Sequence, residues 1–414
     1  MLKLLLIAPT CDGADIGEAW VGYQWARLLS ARHEVTLLTY HKLGSPPAAG
    51  QLPQARVIEW AEPAGLGRAE RLNSMLKPGY VPFYFRARRW IRRALARGER
   101  FDVAHQPVPV AMRYPCPARG LGIPYLIGPV GGSLTSPPDF VAEEDTAPWY
   151  VGLRRIDALR LRFDPALRQT YQQASCVLGI APYVRDFLDG LPLHRFEVMS
   201  ETGITELAAP DERAERPDRA VEAPLRLLFV GRLVRTKGAR DAIRALGLAG
   251  DLPAVLDIVG DGPDRAACEA LTAELGLSGR VRFHGRLPRE QVTGCYQAAD
   301  VFLFPSYREP GGNVVFEAMA HGLPLVVSDI GGPGNVVDGS CGIRVHPVTP
   351  EQYARDLAGA ITRLADPRLR SQLGDGARVR AAGVARWDSK VQRAEAIYAE
   401  VLGGRQAPLA SPAS

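Results

Sequence analysis

Two doubly wound, parallel-sheet α/β domains are what this sequence predicts, and three observations predict it. The chain has 414 residues, and at roughly 100–200 residues per domain two is the natural count. Short apolar runs alternate with amphipathic stretches, the pattern of βαβ units in a parallel sheet. The alternation is interrupted near 208–223 by a charged stretch without periodicity, then begins again.

Taken in order, Leu2–Ala8 reads as the opening strand. Gly17–Arg32 reads as a helix, with Val21, Trp25, Leu28 and Leu29 on one face. Glu34–Thr39 is the next strand, and Phe101–His105, Pro124–Ile127 and Cys176–Ile180 follow with helical segments between them. Beyond the interruption, strands are expected at Leu225–Val230, Ala254–Val259, Val281–Phe283, Val301–Phe304 and Pro324–Val327. Helices are expected at Ala239–Leu248, Arg265–Leu275, Arg289–Ala298, Val314–His321 and Ser389–Leu402. The expected division is a first domain over 1–207, a linker over 208–223 and a second domain over 224–385. A final helix over 386–403 would cross back to the first domain, and 404–414 would be a disordered tail. Open α/β sheets bind ligands at the carboxyl ends of their strands. Two such domains facing across a cleft would therefore place a site there.

Composition narrows the function classes. Apolar residues make up 46% and charged residues 23%, an ordinary globular profile. No stretch approaches the ~20 apolar residues needed to span a bilayer. The apolar start stops after a few residues at Pro9, and Asp12 and Asp15 follow, which suits a buried first strand better than a signal peptide. The chain is read as cytoplasmic. Cys11, Cys116, Cys176, Cys268, Cys295 and Cys341 show no paired spacing, so reduced thiols are expected. A net charge of +5 suits phosphate ligands or an anionic membrane, and is too weak and dispersed to argue for nucleic acid. Lysine is rare, being confined to Lys3, Lys42, Lys77, Lys237 and Lys390.

The richest segment runs from Arg308 through Glu309, Pro310, Gly311, Gly312, Asn313 and Glu317 to His321 and Gly322, after a strand ending near Phe304. Glycines let backbone approach a ligand closely. Amides at a helix start bind phosphate oxygens, and the two carboxylates suit hydroxyl groups. Read alone, the segment is equally an ordinary loop with a glutamate in the first helical turn. A second segment, Gly231, Arg232, Arg235, Lys237 and Gly238, also lies between a strand and a helix. Arg232 and Lys237 would neutralise a diphosphate and stabilise it as a leaving group. Each of these cations alone is equally a solvated loop residue.

Together the two segments resemble retaining glycosyltransferase family four of the GT-B fold, which has two Rossmann-like domains. The family's Gly-Arg and Lys-Gly pairs fall on Gly231-Arg232 and Lys237-Gly238, and its spaced glutamates on Glu309 and Glu317. Smaller signatures fall on Val259–Pro263, containing Gly260, and on Phe283, His284 and Gly285. The resemblance implies that Arg232 and Lys237 hold a donor pyrophosphate, that Glu317 binds ribose hydroxyls and that Glu309 lies near the transferred sugar. It places the amides of Gly311–Asn313 toward the donor and Phe283–Arg286 beside the base.

Weaker features lie in the first half. Asp12–Glu18, with Gly13 and Gly17, stands where the family has a Gly-Gly loop, either a backbone platform or a plain helix entry. His105 ends its strand where many members carry a functional histidine, and a lone histidine there is also commonly structural. Gly128–Ser133 is a wall for the acceptor or a tight turn. Three departures from the family pattern stand out. Gly311 replaces the usual aromatic after Glu309-Pro310, which predicts a looser loop. Ser200–Ile204 replaces a Pro-Asn-Gly-Val, and Gly334-Asn335 replaces a glutamate. Phe83–Arg97 mixes aromatic and basic residues at helical spacing, fitting either an anionic membrane surface or a solvated arginine face.

The resemblance implies transfer of a sugar from a nucleoside diphosphate sugar, UDP- or GDP-linked, to a hydroxyl acceptor with retention. The setting it implies is bacterial cell-surface glycan or glycolipid synthesis, including lipopolysaccharide, with contact at the inner membrane's cytoplasmic face left open. No Asp-x-Asp stands in a convincing place for a metal, so neither metal nor other cofactor is expected. Open alternatives are a catalytically silent nucleotide-binding partner subunit, a sugar-nucleotide epimerase or hydrolase, and a transferase acting on a small secondary metabolite.

Overall fold

The computed structural model describes residues 1–15, 17–41, 44–63, 77–132, 134–144, 155–205, 207 and 223–403. Residues 208–222 of the expected linker, the expected tail at 404–414 and Ser133 lie outside them.

The chain divides into two compact units. The first comprises 1–133, 150–201 and 390–414, and the second comprises 134–149 and 202–389. The first unit holds β1 (Lys3–Ile7), β2 (Glu34–His41), β3 (Arg56–Ala61), β4 (Val103–Gln106), β5 (Tyr125–Val130), β6 (Cys176–Gly179) and β7 (Phe196–Val198). Their order across the sheet is β3-β2-β1-β4-β5-β6-β7, and every pairing is parallel. The second unit holds β8 (Leu225–Val230), β9 (Ala254–Val259), β10 (Val281–Gly285), β11 (Val301–Phe304), β12 (Leu325–Ser328) and β13 (Gly342–Val345). Their order is β10-β9-β8-β11-β12-β13, again all parallel.

Both sheets follow the Rossmann pattern of strands running outward from the first and then reversing. The continuous apolar runs are explained by burial on both faces. β8 and β11 carry Leu227, Leu228, Phe229, Phe302 and Leu303 at 1% exposure or less, as strands with helices above and below require. β3 and β7 escaped the sequence reading because they are edge strands. β3 is only half-buried along most of its length and β7 is three residues long. β13, one of the two edges of the second sheet, carries a half-buried Ile343 and an exposed Arg344.

Two segments depart from simple chain order. Residues 134–144 follow β5 of the first unit yet cluster with the second. The helix Trp387–Gly403 begins in the second unit, where Trp387 Nε1 donates to the Gly203 carbonyl at 3.1 Å. From Lys390 onward it belongs to the first. There Glu395 accepts from Arg32 at 3.0 Å and lies 2.9 Å from His33 Nε2. Arg393 pairs with Glu197 at 2.8 Å.

All six cysteines are free thiols, five of them buried. Burial pushes Cys11, Cys116, Cys176 and Cys268 up to about 12, so these are packing residues rather than nucleophiles. No helix among the described residues is long and apolar enough to cross a membrane.

Candidate functional site

In the second sheet the strand order reverses between β8 and β11, which lie side by side. The loops leaving their carboxyl ends are residues 231–238 and 305–312. This is where a doubly wound sheet opens a crevice for a ligand, and the two motif segments occupy it.

The first loop is shaped by close backbone approach. Gly238 sits at φ 80°, and a Cβ there would lie 2.1 Å from the Pro305 carbonyl oxygen. Only glycine fits both the left-handed backbone and the contact. The Ser306 hydroxyl donates to the Thr236 carbonyl at 3.0 Å, tying the loops together directly. Lys237 closes a short 3-10 turn, Arg235–Lys237. Its Nζ pairs with Glu309 Oε2 and lies 5.8 Å from the centre of the Phe304 ring. Arg232 is exposed, and its side chain makes no hydrogen bond or ion pair among the described residues. The loop thus presents Arg232 unengaged among the described residues, with Arg235 and Lys237 both held by carboxylates.

The second loop is firmly braced, which corrects the looser loop expected from Pro310-Gly311-Gly312. Gly332 N–H donates to the Glu309 carbonyl at 2.9 Å. Side chains at Gly331 and Gly332 would collide with the carbonyl oxygens of Glu309 and Gly311 at 2.3 and 2.0 Å. A turn without side chains thus lets the 330–334 segment press against the back of the loop. Gly312, at φ 92°, caps the helix Asn313–Ala320, whose first amides lack intrahelical partners.

Glu317 lies one turn inside that helix. Its Oε1 accepts from Asn313 Nδ2 at 2.8 Å and its Oε2 from the Tyr296 hydroxyl at 3.0 Å. Burial raises its pKa, and the hydrogen bonds from Tyr296 and Asn313 and the charge of Arg289 work against that rise. Each oxygen keeps a lone pair, so Glu317 is an oriented acceptor able to take a vicinal diol. Tyr296 in turn stacks on His321, with ring centres 5.3 Å apart. Asn313 Oδ1 is buried with no hydrogen-bond partner among the described residues.

The smaller signatures join the same end of the sheet. Gly260 N–H donates to the Gly285 carbonyl at 2.8 Å, and Gly231 N–H to the Val259 carbonyl at 3.0 Å. A Cβ on Gly260 would meet the Gly231 carbonyl oxygen at 1.9 Å. His284, on the edge strand β10, is held by Asp257 of β9 at 2.7 Å.

The predicted site residues of the first unit fare differently. His105 is 2% exposed. Its Nδ1 lies 2.7 Å from the Tyr398 hydroxyl and its Nε2 2.7 Å from the Gly128 carbonyl. Trp25 packs edge-on against it at 5.1 Å. Burial lowers its pKa to about 4, against the opposing hydrogen bond to Gly128. With both nitrogens engaged, the buried His105 presents no free ring nitrogen in this structure. Gly17 is exposed at φ 72° and caps the helix Glu18–Ser30, with open space where a Cβ would stand. Gly13 packs under the Tyr23 ring and donates to Gln51 at 2.7 Å. The loop leads into that helix and leaves Gly17 exposed.

Sequence reasoning assigned no role to Arg235, Arg308 or Tyr296, and missed Asp241, Phe140, Glu143 and Glu144 altogether. Arg235 and Arg308 stood inside the quoted motifs. The others carry no local pattern. Among the described residues no group of three or more His, Cys, Asp or Glu side chains could hold a metal ion.

By architecture, each unit is a Rossmann-like domain, and the second gathers cations, oriented carboxylates and a capped helix start at its switch point. Comparison with known proteins agrees. The family model for glycosyl transferases group 1 matches residues 211–380, and that for the glycosyl transferase 4-like domain matches 17–200. The chain belongs to these GT-B glycosyltransferases. It is 35% identical over 245 residues to a D-inositol 3-phosphate glycosyltransferase of Corynebacterium aurimucosum, covering 55% of this chain and 56% of that one. It is 32% identical over 232 residues to the lipopolysaccharide core biosynthesis glycosyltransferase LpsE of Rhizobium meliloti, covering 55% and 64%. The chain thus spans about half the length of the curated relatives it matches. The Anabaena HepE protein, solved in complex with UDP, shares the fold with a TM-score of 0.63 at 18% identity, over 96% of this chain and all of that one.

Proposed function

We propose that this protein transfers a glycosyl group from a nucleoside diphosphate sugar, with UDP as the first nucleotide to test, to a hydroxyl acceptor with retention of configuration. The observation that carries the reading is the meeting of Lys237 and Glu309 at the switch point of the second sheet. A lone structural ion pair needs neither the glycine-enforced loop contacts around it nor the unengaged Arg232 beside it.

Arg232 and Lys237 take the pyrophosphate, and Lys237 keeps hydrogens to share with Glu309 because an ammonium has three donors. Glu317 takes the ribose hydroxyls. Glu309 orients hydroxyls of the donor sugar and offsets positive charge at its anomeric carbon. The bond from that carbon to the phosphate oxygen breaks as the bond to the acceptor oxygen forms. The acceptor proton passes to the departing phosphate, so no side chain need be nucleophile or base. The cations stabilise charge developing on the leaving group, and the scheme draws on no metal.

The relatives favour a polar carbohydrate or polyol acceptor of the kind met in cell-surface glycans or glycolipids. The helix Tyr80–Ala96 supports a place at an anionic membrane surface. It contains Arg86, Arg88, Arg89, Arg92 and Arg93 and no acidic residue. Phe85 and Val81 are 64% and 60% exposed, and Arg89, Arg92 and Arg93 make no ion pair among the described residues. Sedimentation with phosphatidylglycerol vesicles at low and high salt tests that placement.

The test of the reaction is a thermal-shift screen of nucleoside diphosphates and their sugars, followed by product analysis with candidate acceptors. A specific ligand raises the melting temperature. Free sugar appearing at the same rate with and without acceptor would make the protein a hydrolase. No ligand response at all would remove the donor site.

A further inference from the structure

The segment 134–144 follows β5 of the first unit but is built into the second, and the manner of its attachment is specific. Phe140, in the short 3-10 helix Pro138–Glu143, is fully buried in the second unit's core. Its ring centre lies 4.4 Å from that of Tyr307 and 5.8 Å from that of Tyr353. Next to it, two consecutive carboxylates grip two different loops. Glu143 accepts from Arg235 Nε at 2.9 Å and from Arg244 at 3.1 Å. Glu144 accepts from Arg308 at 2.8 Å, and the same guanidinium donates to the Ser136 hydroxyl at 3.1 Å.

The two arginines are the telling part. Arg235 belongs to the same 3-10 turn as Lys237, and Arg308 immediately precedes Glu309. Arg235 is further fixed by a two-pronged pair with the fully buried Asp241, at 2.5 and 2.9 Å, and its guanidinium lies over the rings of Tyr307 and Phe140 at 5.2 and 5.7 Å. A planar guanidinium paired along its edge with carboxylates and packed against two neighbouring rings has little freedom. Each donor loop is thereby anchored, through the arginine beside its functional residue, to one segment docked by Phe140. Burial works to raise the Glu143 pKa, and Arg235 and Arg244 outweigh it, so the net shift is downward and the grip is ionic at neutral pH.

We propose that residues 134–144 form a positioning strap, in which Glu143 and Glu144, acting through Arg235 and Arg308, set the spacing between Lys237 and Glu309 for a diphosphate sugar. Neither glutamate touches the ligand. Burial of Phe140 docks the segment and its charges supply register. The proposal rests on the reading of the second unit as the donor domain, and its test separates the two.

The test compares the full-length protein with the double variant Glu143→Gln/Glu144→Gln, which keeps shape and removes the ionic grip. Phe140→Leu serves as a milder perturbation of the same segment. Hydrogen–deuterium exchange, which needs no ligand, is read over peptides covering 231–240 and 305–314. In the double variant both should exchange faster while peptides over 254–285 stay unchanged. Calorimetric titration with UDP and GDP should show affinity falling about tenfold, the scale of lost hydrogen bonds to charged groups. Unchanged exchange in the two loops, or a rise spread evenly over the second unit, overturns the strap. If the wild-type protein binds neither nucleotide, the functional reading falls and the exchange data alone judge the strap.

Discussion

The two units share a strand order, and the loops after their first strands show how little that order decides. After β8, residues 231–238 present Arg232 unengaged and Lys237 against Glu309. After β1, residues 8–17 lead to Glu18, which pairs with Lys77 and accepts from the Val110 amide at 3.4 Å. The strands across the reversal differ in the same way. β11 leads into the braced Glu309 loop, whereas His105 in β4 is sealed by Tyr398 and Gly128. One topology, used twice, supplies a place for a site in both units. The second places Arg232, Lys237, Glu309 and Glu317 there, whereas the first closes its Glu18 onto Lys77 and a backbone amide.

The largest effect that would break this comparison comes from the paired residues. Lys237→Met or Glu309→Gln should each reduce kcat/KM for sugar transfer by roughly a hundredfold or more, the scale of losing one group that stabilises the transition state. Melting temperature should change little. Activity within a few-fold of wild type would return both residues to structural roles.

Next comes packing under the second unit. Phe140→Ala removes a fully buried ring and should cost about 3–5 kcal/mol in denaturant unfolding. A loss below 1 kcal/mol would show that the strap is not docked as described.

Sharpening the contrast from the first unit, His105→Gln should lower stability while leaving the acceptor-saturated kcat within a few-fold of wild type. Loss of turnover with an intact melting temperature would make His105 catalytic. Its pKa also predicts a pH dependence. The folded value, about 4, lies below the ~6.5 of an unfolded histidine. Between these values the unfolded chain binds the proton and the folded one does not. His105 therefore supports folding fully above about pH 6.5, and this support drains away as the pH falls toward 4. The Gln variant should show a shallower loss across that window in urea midpoints.

The smallest effect is expected at the exposed helix. Arg89→Gln/Arg92→Gln/Arg93→Gln should leave stability within about 0.5 kcal/mol, as surface changes usually do. Vesicle binding, if the helix meets a membrane, should weaken by roughly tenfold or more.

What the sequence disclosed, and what it withheld, follows the range of the interactions involved. β8, β9 and β11 fall at the residues expected, because strands buried on both faces are written as continuous apolar runs. The edge strands β3, β7 and β13 lack that run. The motif loops could be placed because glycines and a rare lysine mark them locally. The bracing of Glu309 by Gly331 and Gly332 could not, since nothing near Glu309 announces which backbone will press on it. Phe140 and Tyr307 meet across more than 160 residues of chain, and His105 finds Tyr398 at the far end. A strand-end histidine looks the same in sequence whether it faces a ligand or a phenol.

The return of the helix Trp387–Gly403 to the first unit has a consequence for biosynthesis. A ribosome releases residues 1–201 early, but their body lacks Tyr398, Glu395 and Arg393 until the last part of the described chain emerges. The later-made unit has nearly all its parts beforehand. Translation order and completion order are therefore reversed. A nascent chain halted near residue 380 would carry an unfinished leading half, a target for chaperones while the trailing half is almost whole.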